Sequence, residues 1–244
     1  MKDEAKRSSK SRQMTLAAVF SAIYVILRIV PTFSMIGTSG QFTAGDFMLT
    51  SMAAVAGLWS GVTAVFVGTV LAYAVRPPLF FGLDFLPALV NISIAALLLS
   101  GRRRVAQAIY LVVLVIFLLS PYSLMYGYDH IPYVWLHLIA FAILLSPIAA
   151  RIPSWIKRGD SLGVAGFAIL AFVGTMAQHL LGGLLFELSL GVVGGMSPAG
   201  LAGIWAVIFF AYPIERLVIV TISTILAVAI FRSFQRWAPP SWRE

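Results

Sequence analysis

Long apolar runs with charged residues held at their ends constrain this chain more than any other feature of its sequence. The first covers 14–30 with Arg28 as its one charge, and comparable runs recur as far as residue 231. A chain of this kind must satisfy its backbone N–H and C=O groups internally, because hydrocarbon offers them no partner. The runs lack strict polar and apolar alternation, which selects helices over a barrel. Sixty per cent of the 244 residues are apolar, 11% are charged and the mean hydropathy is +0.96, so water is not the main solvent. The expected class is an all-α polytopic transmembrane helix bundle embedded in a cell membrane.

Several chemistries are excluded at once. Without cysteine there is no thiolate nucleophile and no Cys-based metal or iron–sulfur site. No G-x-x-x-x-G-K-[ST] loop and no H-E-x-x-H helix occurs, so neither nucleotide hydrolysis nor zinc-dependent proteolysis is expected. The expectation is a non-enzyme without a cofactor. A net charge of +8 invites a nucleic-acid reading, but the basic residues stand between apolar spans, so no nucleic-acid partner is expected. Residues 1–13 carry Lys2, Lys6, Arg7, Lys10 and Arg12 ahead of the first run, as a secretory signal would. No A-x-A-like cleavage site follows closely, and the stretch reads as a basic cytoplasmic tail before a retained helix.

A helix needs roughly 20 residues to cross the hydrocarbon. Spans are predicted at 14–31, 83–100, 105–125, 133–150, 162–188 and 213–231. The stretch 42–76 is either one tilted helix or two short ones meeting at Gly57-Leu-Trp-Ser-Gly61. Lys and Arg in short loops stay cytoplasmic. Splitting 42–76 gives eight spans with both termini cytoplasmic and puts 14 of the 17 Lys and Arg inside. The alternative places both interior basic loops outside. The organisation is then a tail at 1–13, a bundle at 14–232 and a cytoplasmic tail at 233–244.

This arrangement leaves Arg28, Arg76 and Arg216 near the outer ends of their helices, together with Asp46, Asp84, Asp129, Glu187 and Glu215. Charges there are costly unless paired, hydrated or used. Tyr24 and Arg28 share a helix face below Pro31, before a Gly/Ser/Thr-rich loop able to close over a pocket. Snorkelling to headgroups is the alternative for Arg28. Asp84, Pro87 and Asn91 form one stripe, with an interhelical hydrogen bond as the structural reading of Asn91. His179, Gly183 and Glu187 form another, where His179 is either a site group or a packing residue. Pro213 and Glu215 suit a helix N-terminus, but Arg216 opposes the dipole and needs Glu187, Asp84 or a ligand. Gly37-Thr38-Ser39-Gly40 matches the G-x-S-G of rhomboid proteases. Ser39 nevertheless falls in a predicted outer loop, not at the inner start of a spanning helix.

In order along the chain come Leu16-Ala-Ala-Val-Phe-Ser-Ala22-Ile-Tyr, Gly45-Asp-Phe, the Gly57–Gly61 turn and Val67-Gly68-Thr69. They are followed by Gln178-His179-x-x-Gly-Gly and Tyr212-Pro213-x-Glu215-Arg216. This succession resembles the substrate-binding S component of energy-coupling factor (ECF) transporters, over about residues 14–100 and 165–232. The resemblance implies a pocket opening outward, capped by the loop after the first helix, that captures a vitamin-like small solute. It also implies a transmembrane coupling protein, docked on Ala18 and Ala22, and ABC-type ATPase subunits as partners. Tyr24, Arg28, Asp46, Asp84, Asn91, His179, Glu187, Glu215 and Arg216 are the expected substrate-binding residues. Members of this family usually have six helices, so the hairpin 105–150 looks like an added pair. Competing readings are an autonomous transporter or channel, and a membrane scaffold.

Overall fold

The computed structural model describes residues 2–237, with side chains over 10–236. Arg243 and the end of the expected C-terminal tail lie outside the described residues, as do the side chains of Lys2, Lys6 and Arg7. The fold is all-α: α1 Lys2–Ile29, α2 Leu49–Ala72, α3 Leu86–Leu99, α4 Arg103–Leu119, α5 Trp135–Leu145, α6 Pro147–Arg158, α7 Ser161–Glu187 and α8 Pro198–Trp237. A short antiparallel ribbon, β1 Pro31–Ser34 with β2 Gln41–Thr43, and a 3-10 turn Ala44–Met48 join α1 to α2. Among the described residues, four stretches are long and apolar enough to cross a membrane: Lys10–Ile29, Ala44–Ala72, Ser161–Val193 and Pro198–Arg236. Val19, Ile26, Leu111, Ile116, Leu217 and Ile225 point outward, as side chains facing lipid do.

The expected break in 42–76 is present at Gly57, whose φ of 71° and ψ of −168° leave the helical region. By length 44–72 could cross once, yet a Cβ at Gly45 and one at Gly68 would both lie 3.0 Å from the ring of Tyr24. A straight helix would hold those two positions about 34 Å apart. The chain therefore folds back at Gly57, and its second arm lies against α1.

α1 is helical from Lys2, so the basic stretch runs into the first span without a break. Two sequence expectations need correction. The span 133–150 is interrupted: α5 ends at Leu145, and α6 turns away by 75°. Ser146 ahead of Pro147 is extended, as a residue before proline prefers, and its hydroxyl caps the Ile148 N–H. The resulting α6 is amphipathic, burying Ala149, Ile152 and Ile156 while Arg151, Lys157 and Arg158 stay exposed. Pro213 is not the first residue of the last helix, since α8 runs through it from Pro198. The missing N–H of one proline is tolerated where a long helix is held by its neighbours.

That support comes from α7, the most enclosed of the membrane-length stretches. Asp160 caps its start by accepting from the Leu162 and Gly163 N–H groups at 3.0 and 3.2 Å. α8 returns antiparallel to it: Arg232 reaches the Gly159 carbonyl at 2.7 Å at one end, and Phe186 meets Trp205 near the other. The hairpin 105–150 packs into the core, with Phe117, Tyr133 and His137 against α7 and α8.

Candidate functional site

A cavity of about 430 Å³ opens between α1, α2, α3, α7 and α8, at the end of α7 away from Asp160. The ribbon after α1 covers it with Met35, Ile36 and Ser39–Phe42, and the loop 76–84 closes a second side. Arg28 and Arg76 hold the ribbon in place: Arg28 Nη1 donates to Thr43 Oγ1 at 3.3 Å and Arg76 Nη2 to the Gln41 carbonyl at 2.9 Å. Burial, and after it the charge of Arg28, pulls the Arg76 guanidinium below its ordinary value.

The carboxylates of this region are largely committed to the protein. Asp84 lies before α3 rather than on its stripe, and accepts from the Leu79 and Phe80 N–H groups at 2.9 and 3.0 Å. Those bonds shape the loop that forms the second wall. Asp46 accepts from Gln178 Nε2 at 2.7 Å, and Gln178 Oε1 accepts from Asn91 Nδ2 at 2.7 Å. This buried relay ties the 3-10 turn, α7 and α3 together.

Arg216 is 2% exposed, with its guanidinium carbon 4.5 Å from the centre of the Phe42 ring. Its one ion pair among the described residues is with the adjacent Glu215, at 3.3 Å. Neighbouring residues on a helix do not face each other, so this is a lateral contact. Arg216 Nε has no hydrogen-bond partner among the described residues. Beside it His179 stacks on Tyr212 with ring centres 5.0 Å apart, and its Nδ1 lies 3.0 Å from His137 Nε2.

Of the expected residues, Arg28, Asp46, Asp84, His179, Glu215 and Arg216 line the cavity. Tyr24 and Asn91 stand behind the wall: Tyr24 fills the contact between Gly45 and Gly68, and Asn91 acts through Gln178. Glu187 is placed elsewhere, buried and held by the hydroxyls of Ser120 and Ser123 from the segment after α4. It is therefore not the partner of Arg216. Ser39 and His179 both border the cavity, but the His179 nitrogen nearest a partner is engaged by His137. Ala18 and Ala22 lie on the exposed face of α1, away from the cavity.

Sequence reasoning missed Phe42, Thr69, Tyr73, Arg76, Gln178, Phe186 and Trp205 as wall residues. Arg76 carried the signal that marked Arg28 and Arg216, a cation outside the basic loops. The aromatic residues carried none, because such side chains are unremarkable in an apolar bundle. Comparison with protein-family models, with curated proteins and with solved structures finds no match to this chain, so the site stands on its own geometry.

Proposed function

We propose that this chain captures a small solute at the outer face of a cell membrane as the substrate-binding subunit of an ECF-type importer. Separate ATPase subunits energise it through a transmembrane coupling protein. The observation that carries the reading is the cavity itself, a space of about 430 Å³ enclosed by five helices and covered by two loops. That size lies within the range of about 300–1,000 Å³ typical of small-molecule sites. The polar groups converge at one end of the bundle, and the basic residues of α6 and of 102–104 cluster toward the other. With that basic end cytoplasmic, the two arms of α2 count separately, the chain crosses eight times and both termini lie inside. The exposed Ala18–Ala22 face of α1 is the surface offered to the coupling protein.

The test is affinity purification of the tagged full chain from its native membrane under mild extraction, followed by native mass spectrometry. A copurified solute together with a membrane partner and ATPases is the expected result. Solute uptake into liposomes by the chain alone would assign the cavity to an autonomous transporter instead. Recovery of neither solute nor ATPases would leave the scaffold reading standing.

A further inference from the structure

The cavity holds more hydrogen-bond donors on cations than the protein uses. Arg28 and Arg76 lie within electrostatic reach of each other, and each is bonded to a neutral oxygen, Thr43 Oγ1 and the Gln41 carbonyl. Neither forms an ion pair among the described residues. Arg216 is buried and, among the described residues, keeps Nε without a hydrogen-bond partner and has only a lateral carboxylate as its ion pair. A guanidinium presents five N–H groups in a planar fork, so most of the donor capacity of these three side chains remains open. Three carboxylates border the same space: both Asp84 oxygens serve backbone N–H groups, Asp46 Oδ1 serves Gln178, and Glu215 Oε2 makes the lateral contact to Arg216. Flat surfaces border the same space, with the Phe42, Phe186 and Trp205 rings and the His179 imidazole all on its wall.

We infer that the solute of this cavity is an organic anion, an oxyanion carried on a flat aromatic body. Its charged group is received by Arg28, Arg76 and Arg216, and its ring lies among Phe42, Phe186 and Trp205. Free guanidinium donors select an acceptor-only group, because an amide or amine in the same place would oppose donor with donor. Planar, weakly hydrated guanidinium also favours bidentate contact with carboxylate or phosphate.

This inference rests on the solute-capture reading but fails separately from it. The full chain in nanodiscs is titrated calorimetrically with 2-naphthoate, the uncharged 2-naphthamide and cyclohexanecarboxylate. Naphthoate is expected to bind at least about tenfold more tightly than either of the others, the scale of one charge-assisted hydrogen bond. Arg76→Gln is expected to lower naphthoate affinity about tenfold while leaving naphthamide affinity unchanged. A loss confined to the charged probe is one a merely structural arginine would not give. Equal binding of acid and amide, no binding of the acid, or unchanged naphthoate affinity in R76Q would each overturn the inference. Copurification of a neutral or cationic solute would overturn it too, while leaving the capture reading intact.

Discussion

Gln178 and Asp46 are 132 positions apart in the chain and 2.7 Å apart in the fold. The same Gln178 side chain accepts from Asn91, so a single amide with both ends engaged connects three elements around the cavity. Asn91 and Asp46 are 1% and 5% exposed, which leaves water a poor substitute for the missing partner.

Gln178→Ala is therefore expected to lower stability by about 2–4 kcal/mol, since it leaves both a carboxylate and an amide without a partner. Gln178→Glu would set a second carboxylate against Asp46 and is expected to cost at least as much at neutral pH. Thermal melts in detergent measure both. If Q178A melts with the wild type, the relay is not a structural tie.

At Gly57 the expected sign distinguishes two folds. In a continuous helix, replacing glycine by alanine stabilises by roughly 0.5–1 kcal/mol. With φ at 71° and ψ at −168°, the same change forces a side chain into backbone space open essentially to glycine, at about 1–3 kcal/mol. Nothing lies within 4 Å of the added Cβ, so a steric clash would not contribute. A lower melting temperature for Gly57→Ala supports the fold-back, and a higher one contradicts it.

The contrast between Gly57 and Pro213 shows what was legible in the sequence. Basic loops on either side of 42–76 required an extra reversal, and the glycines between them offered a place for it. Pro213 gave an equally clear local signal for a helix start, but α8 has α7 alongside it and continues through. The Ser146-Pro147 break was visible as a pre-proline position, and the apolar run across it obscured it. Arg28 and Arg216 emerged as cations outside the basic loops. Gln178 and His137 did not, because one polar group in an apolar helix gives no indication of which distant residue it meets.

Glu187 provides a negative control for the cavity. Its carboxylate is buried and accepts hydrogen bonds from Ser120 and Ser123, outside the cavity wall. Glu187→Ala strands two hydroxyls and is expected to destabilise by about 1–3 kcal/mol. Solute affinity, measured on the fraction that remains folded, is expected to match the wild type. A selective loss of binding would move Glu187 back into the site.

Asp160 gives a pH signature at the basic end of the bundle. Partial loss of solvation raises its carboxyl, but the Gly163 N–H and then Arg158 outweigh this and hold it below the ordinary carboxylate value. A folded value below the unfolded one means that the cap contributes fully above the unfolded value. The contribution is lost as pH falls through the folded one. Asp160→Asn keeps a capping oxygen without the charge, so the wild type is expected to melt higher at neutral pH and the gap to close on acidification. A gap that is constant with pH would mean that the charge contributes nothing.

The absence of native cysteine allows the eight-span topology to be tested directly, because any single introduced thiol reports on itself alone. Ser154 is exposed on α6 beside the basic cluster, and Tyr128 is exposed in the segment between α4 and α5 at the other end of that hairpin. Tyr128→Cys in intact cells is expected to react with a membrane-impermeant maleimide, and Ser154→Cys only after the membrane is permeabilised. The reverse pattern would put Arg151, Lys157 and Arg158 outside, against the rule that keeps short basic loops in the cytoplasm. It would also turn the cavity toward the cell interior, and the same guanidinium-lined space would then face solutes leaving the cytoplasm rather than entering it.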